Sequence, residues 1–230
     1  MDSQPQKIRL NKFLAERLGV SRREADELIS DGEITVDGKT PILGARIDKD
    51  SKVCYNKKIV PFQTDFLYIA FHKPVGYVCS RRAQGSAPTL YELLPKEYQK
   101  LKTVGRLDKD SSGLILLTND GDFAYKMTHP KFRKNKVYEV ELDKSLEPLH
   151  QQMISDYGVM LDDGPSKFKV LTMDNKRKNF TVILTEGRNR QIRRTFSVLG
   201  YKVIKLHRTQ FGPYELGGLD KGKYKFFFKK

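Results

Sequence analysis

The sequence predicts an α+β fold, with a small N-terminal module of two helices and a hairpin ahead of a larger domain built around a sheet. Three observations carry this. Two short helical periods and one turn-bounded strand occupy the stretch from Leu10 to Gly38. A polar, lysine-containing stretch follows from about Tyr55 to Thr64, with Pro61 in it and no clean periodicity. Beyond it, strand patterns come in runs with short helices between them, and the absence of regular strand-helix alternation favours α+β over a doubly wound sheet. The expected boundaries are a module at residues 1–56, a linker at 57–65 and a second domain at 66–230.

In the module, Leu10, Phe13, Leu14 and Leu18 recur at helical spacing, and Gly19 ends the helix. Ser21-Arg22-Arg23-Glu24 is a capping box, in which hydroxyl and carboxylate each satisfy a backbone N–H that the first turn leaves free. It opens a helix whose apolar face is Ala25, Leu28 and Ile29. Asp31-Gly32 turns the chain into Ile34-Thr35-Val36, and Asp37-Gly38 is a hairpin turn signal. Two short helices, a turn and a hairpin resemble the S4 RNA-binding fold, whose helices present basic residues to the RNA backbone. The resemblance points to Arg9, Lys12, Arg22 and Arg23. The same four residues also read as an ordinary charged helix surface.

Past the linker, Phe66–Phe71 and Tyr77–Cys79 read as strands flanking a Lys-Pro-Val-Gly turn. Leu114–Thr118 is a continuous apolar run between Gly113 and Asn119-Asp120-Gly121, which reads as a strand buried on both faces. Val137–Leu142, Lys167–Leu171, Phe180–Leu184 and Val203–Leu206 supply further strands. Helical patterns lie at Thr89–Leu94, Asp122–Met127, Leu146–Ile154 and Gln191–Leu199.

Charge narrows the partners. The 230 residues carry 43 basic and 28 acidic side chains, a formal +15. The excess is +2 over residues 1–62, +2 over 63–170 and +11 over 171–230. The phosphate-attracting surface is therefore expected in the C-terminal quarter, around Arg188, Arg190, Arg193 and Arg194. Charge alone does not separate RNA from DNA or an anionic membrane, and Lys221, Lys223, Lys225, Lys229 and Lys230 read equally well as a solvated face. Cys54 and Cys79 stand alone without metal-ligand spacing, and no apolar stretch approaches the roughly 18 residues of a membrane span. The expectation is a soluble, cytoplasmic protein with no membrane partner.

Chemistry concentrates at Gly105-Arg106-Leu107-Asp108-Lys109-Asp110-Ser111-Ser112-Gly113-Leu114. One carboxylate sits beside an arginine in the loop that feeds the apolar strand, so a rigid neighbour fixes a side chain that still faces open space. Taken alone, the segment reads also as a plain turn, since Asp, Lys, Ser and Gly are turn residues. Asp108, Asp110, Ser112 and Gly113 fall on the first positions of an EF-hand loop, but the twelfth is Asn119 where a bidentate Glu is needed, and the intervening residues form the apolar strand. Asp108 and Asp110 remain candidates for a magnesium-dependent nuclease.

Three further stretches accompany this one: Phe71-His72-Lys73-Pro74-Val75-Gly76-Tyr77, Lys136-Val137-Tyr138-Glu139-Val140 and Glu186-Gly187-Arg188-Asn189-Arg190-Gln191-Ile192-Arg193-Arg194. In this order and at these separations they resemble the motifs of the pseudouridine synthases, specifically the ribosomal RNA branch that carries an N-terminal S4 domain. The resemblance implies a mixed, largely antiparallel catalytic sheet with the cleft across its middle. It implies that Asp108 is the essential carboxylate, that Arg193 is its ion-pair partner and that Tyr138 stacks on the target base. Without the resemblance Tyr138 reads as a half-buried strand residue. Arg106 is placed to touch RNA at the stacking position that a flipped-out base vacates. Arg188, Arg190 and Arg194 are the expected phosphate grips. Lys73, matching the first motif with Pro74, is counted with the RNA contacts but reads chiefly as a support of the catalytic loop.

Conversion of uridine to pseudouridine conserves atoms and oxidation state, so no cofactor and no metal is expected. The expected partner is ribosomal RNA, free or in assembly particles, met by a monomer. Motif wording does not separate small-subunit from large-subunit targets. The contrasting class is a non-catalytic RNA-binding ribosome assembly factor, which accounts for the charge but not for the aspartate, tyrosine and arginine set.

Overall fold

The computed structural model describes residues 7–62, 65–81 and 85–230. The N-terminal tail at 1–6 and the part of the expected linker at 63–64 lie outside them. The chain divides into two compact units, Met1–Leu67 with Asn119–Gly121, and Tyr68–Thr118 with Asp122–Lys230.

In the first unit, β1 (Ile8–Arg9) leads into α1 (Leu10–Arg17) and α2 (Arg22–Ser30). Leu10, Phe13 and Leu14 of α1 and Ala25 and Ile29 of α2 are buried in one core, as their spacing predicts. The capping box forms: the Ser21 N–H donates to the Glu24 carboxylate at 2.6 Å, and the Glu24 N–H donates to Ser21 Oγ at 3.1 Å. Then come β2 (Ile34–Val36), β3 (Arg46–Ile47), β4 (Val53–Tyr55) and β5 (Lys58–Ile59). β1 pairs with β3, and β2, β4 and β5 form an antiparallel sheet. Asp37 and Gly38 make the expected turn with φ of 51° and 77°. The hairpin stops at the Val36–Lys39 bridge, and β4 takes the place of the returning strand. Pro41, which has no N–H to offer a ladder, follows within two residues.

The expected linker at 57–65 is corrected in part. Asn56 and Lys57 have positive φ and turn the chain into β5, Val60 is buried in the first unit's core, and the Phe62 ring lies 4.5 Å from that of Phe13. Lysines that read as a solvated linker are turn and edge residues of a packed hairpin.

The second unit contains β6 (Tyr68–Lys73), β7 (Lys102–Val104), β8 (Ser112–Thr118), α3 (Gly121–Thr128) and β9 (Lys136–Leu142). It continues through α4 (Pro148–Gln152), β10 (Val159–Leu161), β11 (Gly164–Ser166), β12 (Lys169–Met173) and β13 (Asn179–Leu184). The last elements are α5 (Gln191–Val198), β14 (Val203–Phe211), β15 (Tyr214–Glu215) and β16 (Tyr224–Phe226). The main sheet runs β12-β13-β9-β14-β8-β6-β16, with β7 added on β8 and β15 on β14. Its β14–β8 pair is parallel and its other recorded pairs are antiparallel, so the sheet is mixed and largely antiparallel. Every residue of β8 is buried, and Leu114 and Leu116 pack with Val104, Phe123, Met127 and Phe211.

Several elements depart from expectation for local reasons. Tyr77–Cys79 contributes, among the described residues, just the Val78–Thr89 bridge, and the Cys79 thiol donates to the Leu107 carbonyl. Thr89–Leu94 is a single 3-10 turn, Leu90–Leu93, halted by Pro95. Leu146–Ile154 starts only at Pro148, a residue confined to a first turn, and continues in a π turn over Met153–Tyr157. β14 extends five residues past the expected end, through polar Arg208, Thr209 and Gln210. No helix among the described residues is long and apolar enough to cross a membrane.

Candidate active site

The loop between β7 and β8 is pinned along its backbone. Asp108 closes a turn, its carbonyl accepting the Ser111 N–H at 3.1 Å. The Gly76 N–H donates to the Lys109 carbonyl at 2.8 Å. The Leu107 N–H donates to Cys79 Sγ at 3.3 Å, and that thiol donates back to the Leu107 carbonyl. Lys73 is 0% exposed, and its Nζ donates to the carbonyls of Pro74, Asp108 and Ser111 at 2.9, 3.1 and 2.7 Å. Burial lowers its pKa to about 8, opposed by Cys79, Asp108 and Asp110. Carbonyls only accept, so the ammonium is the form that satisfies all three. The residues that read as a plain turn do form one. A tight turn, clamped from below, leaves the Asp108 side chain projecting half-buried.

Arginines meet this loop from the start of α5. Arg190 sits at the helix N-cap with φ 44°, a left-handed conformation that carries its side chain off the helix path. Its Nη1 lies 3.7 Å from Asp108 Oδ2 and 3.5 Å from Asp110 Oδ2. Arg193 donates from Nη1 to the Val203 carbonyl at 2.8 Å and from Nη2 to the Asp110 carbonyl at 2.9 Å. Burial lowers the Arg193 pKa, with repulsion from Arg190 adding to the effect and Asp110 and Asp108 pulling against it.

Asp108 and Arg190 face a cleft of about 660 Å³ that lies wholly within the second unit. Arg106 stands exposed on its lining, and Tyr138, 9% exposed, rises from β9. Arg208 of β14 is paired in register with Tyr138, so the two side chains stand side by side on one face. Lys136 precedes Tyr138 by one pleat repeat and lines the same cleft, with Nζ 5.3 Å from the Phe211 ring centroid. Burial, reinforced by Arg208, lowers its pKa to about 8 against the pull of Glu186.

Comparison with known proteins decides the family. The profile of the family described as RNA pseudouridylate synthase matches residues 67–198, and that of the S4 domain matches residues 8–40. The chain belongs to the RNA pseudouridylate synthase family. It is 35% identical over 224 residues to the ribosomal small subunit pseudouridine synthase A of Pasteurella multocida, covering 95% of each chain. It is 36% identical over 220 residues to the ribosomal large subunit pseudouridine synthase B of Bacillus subtilis, covering 93% of this chain and 89% of that one. A crystal structure of a pseudouridylate synthase superposes with a TM-score of 0.69 at 30% identity, over 96% of both chains.

Against the sequence expectations, this synthase brings Asp108, Tyr138, Arg106, Arg188 and Arg190 to one cleft, whereas Arg193 and Arg194 do not line it. Three expectations are corrected. The guanidinium in contact with Asp108 is that of Arg190, while Arg193 donates to the Val203 and Asp110 carbonyls. Lys73 is buried under the loop it clamps, its Nζ given to three carbonyls. Arg188 and Arg194 are held by Asp163 at 2.9 and 2.8 Å, and Arg188 also donates to the carbonyls of Asp163, Gly164 and Pro165. Their charge ties the β10–β11 hairpin to the start of α5. In the first unit, Arg9, Arg22 and Arg23 are exposed and Lys12 is half-buried on α1.

Sequence reasoning passed over Lys136 and Arg208. The two-residue alternation of a strand was enough to place Lys136 on the face of Tyr138. Arg208 had no such signal, since it lies in the part of β14 that reads as polar loop.

Proposed function

We propose that the chain isomerises a specific uridine of ribosomal RNA to pseudouridine. The observation that carries this is the convergence of the Asp108 carboxylate, its Arg190 counter-ion and the Tyr138 ring on one cleft. The names of its relatives, one acting on the small and one on the large ribosomal subunit, support the substrate class. In this reading the chain acts as a monomer on free RNA or an assembly particle.

The reaction breaks the bond from ribose C1′ to uracil N1, turns the base and joins C1′ to C5. Asp108 meets the electron-poor sugar, with the Arg190 guanidinium 3.7 Å away as its counter-ion. Tyr138 offers its ring to the uracil face. Arg193 is a positioning residue that holds the Asp110 carbonyl while its charge reaches Asp108 at longer range. Arg106, exposed beside the aspartate, fills the gap left by the extruded base. Asp108 and Asp110 already share one guanidinium, which disfavours their joint use for a divalent cation. In the first unit, Arg22 and Arg23 occupy the first turn of α2, where the helix dipole favours anions, a placement that suits an RNA phosphate better than helix stability.

The test is tritium release from ribosomal RNA labelled at uridine C5, without added metal. The parent should release label, and Asp108→Asn should lose at least about 100-fold in rate while still binding RNA. Tight binding by the parent without release from either subunit's RNA or its assembly particles overturns the isomerase in favour of a non-catalytic binder.

A further inference from the structure

Arg208 is a buried cation whose hydrogen-bonding capacity the protein leaves partly unused. The residue is 1% exposed and lines the cleft. Its Nε donates to the Leu114 carbonyl at 2.8 Å, and its guanidinium carbon lies 4.9 Å from the Phe211 ring centroid. Nη2 has no partner among the described residues. A guanidinium is charged at any physiological pH, and buried donors are nearly always satisfied, so an orphaned one beside a cleft points to a ligand. Its neighbours say which part of the ligand. Across the ladder from Arg208 stand Tyr138 on β9 and Gly113 on β8, the strand that the Asp108 loop feeds. Ser111 Oγ, also buried and unpartnered, lines the same cleft. Arg106 and Arg190 are exposed, whereas Arg208 is fully buried beside Tyr138, the ring offered to the base.

Resting on the isomerase reading above, we infer that Arg208 is a further catalytic residue, its Nη2 donating to a carbonyl oxygen of the target uracil and stabilising the negative charge of the detached base. When C1′–N1 breaks, both electrons stay with the base, and the charge spreads over N1 and the ring carbonyl oxygens while Asp108 meets the electron deficiency at C1′. Arg208 transfers no proton. On reclosure a pair from C5 forms the C5–C1′ bond, the C5 proton leaves, N1 takes up a proton and the base is neutral again. The charge Arg208 meets exists only between the two bonds, so its effect falls on the chemical step.

The experiment is single-turnover tritium release from C5-labelled ribosomal RNA at saturating protein, alongside RNA affinity and unfolding midpoint, for the parent, Arg208→Gln and Arg208→Lys. The glutamine variant should bind RNA within about threefold of the parent and react about 100-fold more slowly. The lysine variant keeps the stem and charge over Phe211, should lose about tenfold, and carries the test alone if the glutamine variant does not fold. An active parent with folded variants at the parental rate overturns the inference and leaves the isomerase standing. So does a loss confined to RNA affinity, which marks a phosphate contact. A silent parent overturns the isomerase reading itself.

Discussion

Lys136 shows how a strand's alternation carries a cation into the cleft. It stands two residues before Tyr138 on β9, and its ammonium donates to the Lys134 and Glu186 carbonyls, both at a long 3.4 Å. With a folded pKa near 8 against 10.5 in the open chain, the unfolded state binds more protons between those values. The stability contribution of this site is therefore present above the unfolded value and lost as pH falls through 8. Lys136→Met should raise the unfolding midpoint relative to the parent at pH 7, with the difference shrinking toward pH 10, as thermal melts across that range would register. Asp108 was legible in sequence because its loop and strand are neighbours in the chain. The identity of its arginine was not. Arg190 and Arg193 differ by three residues, and the left-handed turn at Arg190 decides which one reaches the carboxylate.

At the scale of elements, the parallel contact between β8 and β14 joins the strand that the Asp108 loop feeds to the Arg208 strand, and Gly113 is what allows it. Gly113 has φ +112°, and a Cβ there would run into the carbonyl oxygen of Arg208 and approach its nitrogen to 2.5 Å. Backbone on both sides leaves nothing to yield. Gly113→Ala should cost at least about 3 kcal/mol by denaturant titration and widen the spacing of Asp108 and Arg208, lowering activity in whatever fraction folds. A variant with parental stability would show that the two strands are free to separate. Helix starts were readable from Ser21 and its Glu24, and the apolar run of β8 from composition alone. The second half of β14 was not, because its polar side chains face the cleft and the sheet's far side, where burial follows from pairing with β9 and β8.

On the scale of the whole molecule, the C-terminal charge excess does not translate directly into a phosphate surface. Asp163 binds Arg194 and Arg188, and the hydrogen bond from Arg194 comes first among the causes that lower its pKa. Among the arginines of the described residues, Arg106 and Arg190 at the cleft and Arg9, Arg22 and Arg23 in the first unit are exposed. RNA affinity should therefore depend on the first unit despite its net +2. Arg22→Gln with Arg23→Gln should flatten the slope of log affinity against log salt by about 1.4 on single-stranded segments, while the single-turnover rate at saturation stays parental. An unchanged slope would remove these arginines from the RNA contact.

The sequence by itself determined the α+β class, the S4-like module, the positions of β6, β8, β9, β13 and α5 to within two residues and the family, because caps, turns, periodicity and motif order are written over short spans. Tertiary structure alone decided which cation meets which acceptor. Arg208 reaches Leu114 across 94 positions of chain, Arg193 reaches Asp110 across 83, and Arg188 reaches Asp163 across 25. Charged side chains are long and their partners interchangeable, so pairing follows from which strands lie side by side and which carbonyls burial leaves in need of a donor.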